Sequence, residues 1–374
     1  MELSTRKPLY ELPPYSLTGD ILSFQTCPLQ YRYHNLGGLP PSRPVQLWFG
    51  QFIHGVLEEA YRGYSADRQK PPPWPKVEIT QITDRICKRL KAQGLLARSN
   101  ALEELGVLRA ERAVNLLGPH LLPLISRVEV RLSGARPIDR SRMPRGWQKY
   151  RNLDRYELVG VIDVVSHVEL GTGSPVNPLV SAVRRAVRNL PAEFEIIVDY
   201  KGMRRPATTR QHGRLDLATY EWQLQNYANL RERQREGPSV VAGVLLFLNE
   251  LLPTRSDVRE WIEETRQGTT DIRCDASWKR PEDVPDDVKL RRAMHVTAVT
   301  PQSQSRALAE FDSVVQEIEA CRGIEISGQS LFAAWTGNPE DKATCDACDA
   351  RTFCPELVKR QASRAPLSPT LPNA

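Results

Sequence analysis

One stretch, residues 194–202 (FEIIVDYKG), constrains the fold more than any other part of the chain. Its apolar, β-branched residues predict a buried strand, and this strand ends in a carboxylate and an ammonium group. Because side chains alternate along a strand, Asp199 and Lys201 point to one face while Val198 and Tyr200 point to the other. The sequence therefore predicts a carboxylate that can hold a metal directly beside a cation.

A second apolar segment, residues 158–165 (LVGVIDVV), carries its only interior charge at Asp163. We interpret it as a neighbouring strand that contributes a second carboxylate. Two acids and a lysine on adjacent strands suit metal-dependent phosphodiester hydrolysis, because the acids hold Mg²⁺ or Mn²⁺ and the lysine stabilises developing phosphate charge. When an Asp-x-Lys pair occurs alone, it more often marks only the point where a strand leaves the core and enters solvent.

Companion motifs favour the chemical interpretation. A helix is predicted over residues 48–62 and another over 216–233, and each carries one motif. The motifs follow one another as Gly50-x-x-x-His54, Gly160-x-x-Asp163, Asp199-x-Lys201 and Gln223-x-x-x-Tyr227. In this order the chain resembles the PD-(D/E)XK nucleases of the RecB family, and more closely the branch with AddB, the CRISPR-associated spacer-processing nucleases and the exonuclease V type.

The resemblance implies a fold and a role for each residue. The fold would be an α/β PD-(D/E)XK restriction-endonuclease-like core, a central mixed sheet flanked by helices, with a helical insertion and a C-terminal four-cysteine iron-sulfur patch. His54, Asp163 and Asp199 would bind Mg²⁺ or Mn²⁺. Lys201 would orient water or stabilise charge, and Gln223 and Tyr227 would position the nucleic acid strand.

The cysteines give a second signal. The chain has seven, and Cys345-x-x-Cys348-x5-Cys354 places three of them within ten residues. Zinc ribbons normally supply two close pairs of cysteines, and only one close pair is present here. A fourth ligand must therefore come from a distant part of the chain. Cys27 is the best candidate, because it is followed by proline as Cys354 is. The residues alone leave zinc and a four-iron cluster open, whereas a reducing cytoplasm disfavours disulfides.

The resemblance implies a [4Fe-4S] cluster rather than zinc. One cysteine before the nuclease motifs and three after them is the arrangement of the iron-sulfur branch, and the cluster would be structural. The remaining cysteines are interpreted as unligated: Cys87, Cys274 and Cys321.

Charge is compatible with a nucleic acid partner. The formal net charge is +6, the pI is about 8.9, and arginines cluster at residues 184–188, 204–205 and 291–292. A positive chain favours polyanions, although surface arginines are often only solvated. No P-loop sequence occurs, so any ATP-driven unwinding would need a partner, either a helicase or a CRISPR-adaptation protein.

The organisation along the chain is predicted from composition. No run approaches about 18 apolar residues and residues 1–16 lack an apolar signal core, so no membrane association and a cytoplasmic location are expected. Residues 171–191 look like a loop. The predicted segments are a flexible N-terminus (1–15), N-terminal helices (16–65), a helical insertion (66–125), a nuclease core (126–325) with an irregular, partly mobile excursion (253–292), an iron-sulfur patch (326–358) and a disordered tail (359–374).

The function predicted from these observations is metal-dependent hydrolysis of DNA, as a single-strand exonuclease in repair, recombination or defence against foreign DNA. Within the enzyme class, a CRISPR spacer-processing nuclease and the nuclease subunit of a helicase-nuclease complex are the alternatives. In the binding class, the alternative is a non-catalytic iron-sulfur DNA-binding subunit, against which the intact set of two acids and a lysine argues.

Overall fold

A computed structural model describes residues 12–39, 47–150, 153–171, 177–207, 211–234, 237–340 and 342–357. They form a mixed α/β fold with a six-stranded mixed sheet flanked by helices. The strand order is β1-β3-β4-β5-β6, with β2 also paired to β3. The strands are β1 (Pro14–Ser16), β2 (Ile125–Pro137), β3 (Arg155–Glu169), β4 (Glu193–Lys201), β5 (Val240–Phe247) and β6 (Met294–Ala298).

The helices precede, follow and separate these strands. Short π-helical turns occur at Leu17–Ile21, Arg32–Leu36 and Ala113–Leu117. The α-helices are α1 (Leu22–Thr26), α2 (Pro28–Tyr31), α3 (Leu47–Ala66), α4 (Lys76–Ala92), α5 (Asn100–Arg112), α6 (Gly118–Leu121), α7 (Trp147–Tyr150), α8 (Pro178–Ala186), α9 (Gln211–Arg233), α10 (Arg255–Arg266), α11 (Asp286–Ala293), α12 (Pro301–Ile326), α13 (Leu331–Ala334) and α14 (Lys342–Asp346). Among the described residues, none of these helices combines the length and apolar character needed to cross a bilayer.

The chain divides into two compact units. Unit 1 is drawn from Met1–Ser42, Ser133–Gly160 and Leu308–Ala374. Unit 2 is drawn from Arg43–Leu132 and Val161–Ala307. All the predicted nuclease residues belong to unit 2, and all four predicted cluster cysteines belong to unit 1.

This division differs from the predicted segments. Helix α3 of the predicted N-terminal region and the helices of the predicted insertion are part of unit 2, because their apolar faces share one core with the sheet, whereas α1 and α2 belong to unit 1. Phe52 and Val56 of α3 pack in the same buried cluster as Ile196 and Val198 of β4. Burial of such apolar side chains contributes roughly 1.5–3 kcal/mol each, so these helices and the sheet stabilise one another.

Residues 253–292 are not an irregular excursion, and that prediction is corrected. The segment contains α10 and α11, and the Thr254 and Asp257 side chains form a capping box at the start of α10. A separate small core holds the segment together, formed by Val258, Trp261, Ile262, Ile272, Cys274, Val284 and Val288.

Two further assignments differ. Residues 178–186 form α8 instead of a loop, because Asn177 caps the first turn by accepting from the Leu179 backbone N–H at 2.9 Å and Pro178 suits the first helical position. At the N-terminus, Pro14–Ser16 pairs in parallel with β3 and Tyr15 is buried, so the ordered chain begins before residue 16. Residues 1–11 of the predicted flexible N-terminus and the predicted tail 359–374 lie outside the described residues.

Candidate active site

The end of β4 places a carboxylate and a cation side by side. Lys201 Nζ lies 2.6 Å from Asp199 Oδ2, and the two side chains are only 15% and 7% exposed. Ile196, Val198 and Tyr200 lie in the main core, as expected for the opposite face of the strand. In this buried setting the ion pair is stronger than it would be at the surface, and each charge depends on the other.

Asp163 reaches the same end of the sheet from β3. Backbone pairing between the antiparallel strands β3 and β4 is recorded from Val164 opposite Val198 onward, so Asp163 lies just beyond it. Its Oδ2 accepts a hydrogen bond from the Tyr200 backbone N–H at 2.8 Å, which fixes the carboxylate at the strand end. Burial and the negative charge of Asp199 together raise the pKa of Asp163 well above its ordinary value. Two crowded acids of this kind form a site where a cation would relieve the repulsion.

His54 is presented by α3, where Gly50 and His54 are one turn apart. Its Nε2 lies 3.1 Å from the Tyr200 carbonyl oxygen and its Nδ1 lies 3.6 Å from Asp163 Oδ1. Burial lowers the pKa of His54, which favours the neutral imidazole that metals require. If Nε2–H donates to the carbonyl, the Nδ1 lone pair faces Asp163 and is available to a metal.

Glu129 of β2 is a candidate ligand that the sequence did not single out. One ligand atom each from His54, Glu129 and Asp163 lie within 4.8 Å of one another. Glu129 has a φ of 50°, which is uncommon for a non-glycine residue and costs on the order of 1–3 kcal/mol. Strain of this kind at a cluster of ligands is typical of functional sites. The sequence shows only an ordinary charged residue between Val128 and Val130, so its backbone conformation could not be foreseen.

The predicted metal set was His54, Asp163 and Asp199, and the structure groups Glu129 with the first two. Asp199 borders this group, since its charge acts to raise the pKa of both Asp163 and His54. Its carboxylate is directed at Lys201. The donors are therefore one imidazole nitrogen and two or three carboxylates, which fit Mn²⁺ and, through their oxygens, Mg²⁺.

Helix α9 brings the fourth predicted motif to Lys201. Gln223 Oε1 lies 3.2 Å from Lys201 Nζ, and Gln223 Nε2 donates to the Tyr227 hydroxyl at 2.9 Å. The Tyr220 ring lies under the ammonium, 4.5 Å from its centroid. Gln223 and Tyr227 are each only 4% exposed, so they are placed to hold Lys201 rather than to contact a bound nucleic acid strand directly.

A cavity of about 940 Å³ opens beside this group. His54 and Glu129 line it, together with Gln51, Arg89 and Arg131. The volume is in the range of pockets that hold small organic ligands, and the wall carries two arginines and two acids, Glu58 and Glu129. A phosphate-containing substrate would meet both the ligand group and these cations.

The four predicted cluster cysteines come together in unit 1. Cys27, Cys345, Cys348 and Cys354 line one small cavity, and none of the seven cysteines is in a disulfide. Burial raises the pKa of the Cys348 thiol, and the neighbouring sulfurs of Cys27 and Cys354 raise it further. The negative charges of neighbouring thiolates repel one another, and a bound metal ion or cluster with positive charge would relieve this repulsion.

Comparison with known protein families adds an independent finding. Residues 19–172 match the family model of the PD-(D/E)XK nuclease superfamily. The matched range includes His54, Glu129 and Asp163, whereas β4 and α9 lie beyond its end. No curated protein matches the chain. The match supports metal-dependent nuclease activity on phosphodiester bonds, and the RecB-like and iron-sulfur parts of the resemblance stay predictions.

Proposed function

We propose that this chain is a metal-dependent DNA nuclease that degrades single strands from an end. The observation that carries this proposal is the convergence of His54, Glu129, Asp163, Asp199 and Lys201 at one end of the sheet, beside a cavity that Arg89 and Arg131 also line. This combination has the ligands, the cation and the space that phosphodiester hydrolysis requires.

Each group has a distinct task. His54, Glu129 and Asp163 would hold Mg²⁺ or Mn²⁺, with Asp199 at the edge of the set. The bound metal would lower the pKa of a water molecule and polarise the phosphate. Lys201 is held between Asp199 and Gln223, and its positive charge would stabilise the negative charge that develops on the phosphate. Tyr227 holds the Gln223 amide, and its pKa is raised by burial, so the phenol stays protonated.

We further propose that Cys27, Cys345, Cys348 and Cys354 hold a structural [4Fe-4S] cluster, with zinc as the alternative. The support is their convergence on one cavity that also contains apolar side chains such as Leu29 and Leu357. An apolar surround of this kind protects an iron-sulfur cluster from solvent. A helicase or a CRISPR-adaptation protein as partner stays a prediction from the resemblance.

The test of the nuclease proposal is an assay with end-labelled linear and circular single-stranded DNA. With Mn²⁺ or Mg²⁺ we expect the linear strand to be degraded to short products and the circle to stay intact. EDTA should stop the reaction, because the acids and histidine have no hydrolytic chemistry without the metal. Absence of cleavage with either metal would overturn the nuclease proposal, and rapid cutting of the circle would overturn its exonuclease part.

Glu129→Gln is expected to weaken Mn²⁺ binding by about 10- to 100-fold or more, the effect typical of losing even an outer-shell partner of a metal. The glutamine keeps the size of the side chain and removes the charge that a hard cation prefers. Calorimetric titration of the purified variant with Mn²⁺ measures this directly.

The matched control is Glu58→Gln, because Glu58 is another acid at the same cavity but is paired with Arg62. Its Mn²⁺ affinity should equal that of the unmodified protein. If Glu129→Gln also binds Mn²⁺ normally, Glu129 is not a ligand and the original set with Asp199 is the better assignment.

A further inference from the structure

A second large cavity in unit 2 lies beside the edge strand β6. Its volume is about 790 Å³. Three arginines from separate segments converge on it: Arg185 of α8, Arg205 of the chain after β4, and Arg291 of α11. His295 of β6 and Asp271 complete its polar lining. Side chains from five segments of the fold thus form one basic pocket.

The positive charge of this pocket is only partly neutralised. Arg205 Nη2 lies 3.3 Å from Asp271 and 3.4 Å from His295 Nδ1, but Asp271 is 71% exposed and so screens weakly. Arg291 pairs with Asp287 on its own helix, and Arg185 has no ion-pair partner among the described residues. Among the described lining residues, Asp271 is the one acid facing three guanidinium groups.

One guanidinium nitrogen has a free donor inside the protein. Arg205 Nη1 is buried and has no hydrogen-bond partner within the described part of the chain. Because Nη1 is shielded from the cavity, a phosphate in the pocket would be held by the exposed guanidinium groups of Arg185 and Arg291. Guanidinium groups bind phosphate in a forked geometry.

The sheet fixes the pocket's position relative to the active site. Asp199 pairs with Leu245, and Leu245 pairs with His295, so the three lie in one cross-strand row. Adjacent strands are about 4.8 Å apart, which places the His295 and Asp199 backbones about 10 Å apart. A single nucleic acid strand that spans this distance would carry its phosphate backbone from the Asp199 end of the sheet to the pocket.

We propose that this pocket holds an internal backbone phosphate of the nucleic acid strand whose scissile bond lies at the metal site. The inference rests on the proposed nuclease function for the identity of the strand. It goes beyond that function by assigning the contact to Arg185, Arg205 and Arg291 at the edge of β6. This contact would fix the path of the nucleic acid strand between the metal site and the edge of the sheet.

The test is binding of a labelled single-stranded oligonucleotide, measured by fluorescence anisotropy in EDTA between about 50 and 200 mM salt, where no cleavage occurs. The variant is Arg185→Gln/Arg291→Gln, because both side chains are exposed and neither pairs with a buried acid. Loss of one phosphate contact should reduce the slope of log affinity against log salt by about 0.7. At 0.1 M salt this corresponds to about five-fold weaker binding.

The matched control is Arg266→Gln. Arg266 is also an exposed arginine near a helix end, paired with Glu263 on its own helix, and it does not line the pocket. Its slope and affinity should equal those of the unmodified protein. An unchanged slope in the double variant, or an equal loss in Arg266→Gln, would overturn the proposal. So would a defect that appears only with a 5′-phosphorylated oligonucleotide, since the pocket would then bind a terminal phosphate.

Failure of the nuclease proposal gives a different result. If the protein cleaves no DNA with any metal, but the slope of log affinity against log salt decreases only in the double variant, the phosphate pocket stands and the nuclease proposal fails. If the protein cleaves DNA but the slope does not change in the double variant, the nuclease proposal stands and the phosphate pocket is refuted.

Discussion

Asp163→Asn and Asp199→Asn are both expected to lower the rate of DNA cleavage strongly, while only Asp199→Asn should destabilise the folded protein. Each removes a carboxylate from the metal site, and loss of about 3–4 kcal/mol of metal-derived stabilisation would lower the rate by roughly 10²- to 10³-fold. The stability difference arises because the two acids have different partners in the folded chain.

For Asp163→Asn, the unfolding temperature without metal should be equal to or higher than that of the unmodified protein. Burial and the charge of Asp199 raise the pKa of Asp163, so at neutral pH its ionised form is less stable in the folded chain than in the unfolded one. Asparagine removes this penalty, which is greatest above the raised pKa. Its amide oxygen can still accept from the Tyr200 N–H, as the carboxylate does at 2.8 Å.

For Asp199→Asn, the protein should be less stable, because Lys201 loses the carboxylate 2.6 Å from its ammonium while remaining buried. Breaking a buried ion pair on one side costs on the order of 3 kcal/mol. Thermal unfolding in EDTA, alongside the nuclease assay, measures both quantities. Normal cleavage by either folded variant, or equal stability changes in the two, would contradict the assignment.

Two further variants complete this experiment. Lys201→Met should be inactive but should bind Mn²⁺ as the unmodified protein does, because the lysine supplies charge without ligating the metal. Glu193→Gln is the control, since Glu193 is an exposed acid of the same strand that lies 3.1 Å from His167 and outside the group of His54, Glu129 and Asp163. Its cleavage rate should be unchanged.

The part of this site that the sequence predicted depends on local rules. Strand alternation placed Asp199 and Lys201 on one face, and the position of Asp163 within an apolar run placed it on an adjacent strand. Helical spacing placed Gln223 and Tyr227 on one face of a helix, and in the structure that face meets Lys201. These placements require only a few consecutive residues, whereas the grouping of the motifs in one site was implied by the family resemblance.

The parts that the sequence missed depend on contacts between distant residues. Glu129 differs from any exposed strand acid only in its backbone conformation and in meeting His54 and Asp163. In the segment 253–292, Arg292 is buried because it pairs with Glu250 and Glu264, which are 42 and 28 residues away. A charged residue such as Arg292 is typical of a solvated segment, whereas Thr254 and Asp257, three residues apart, are a local signal for the start of α10.

The second large effect is expected at the cysteines. Cys27→Ala and Cys348→Ala should each remove nearly all iron from the anaerobically purified protein, which otherwise should hold about four iron atoms and be brown. Each substitution removes one of four ligands from the same cluster, although Cys27 and Cys348 are more than three hundred residues apart in sequence. Iron analysis and visible absorption measure the loss. A colourless protein that contains zinc would replace the cluster assignment with the alternative metal.

Cys321→Ala and Cys87→Ala are the matched controls, and both should keep full iron. Neither of them lines the cavity that the four predicted ligands share, and burial raises the pKa of each thiol to about 11. If Cys27→Ala keeps its iron while one of these controls loses it, the fourth ligand has been wrongly assigned.

The structure also changes what loss of the cluster should do to stability. A cluster that closes a loop of more than three hundred residues could stabilise the chain by on the order of 5 kcal/mol in the loop-closure treatment used for disulfides. Within unit 1, however, the Leu29 N–H donates to the Thr336 carbonyl at 3.1 Å and Arg32 pairs with Glu325 at 2.6 Å. These contacts join the two segments without any metal. We therefore expect Cys27→Ala to lower the unfolding temperature while the protein stays folded, so that iron content and stability can be measured on the same sample.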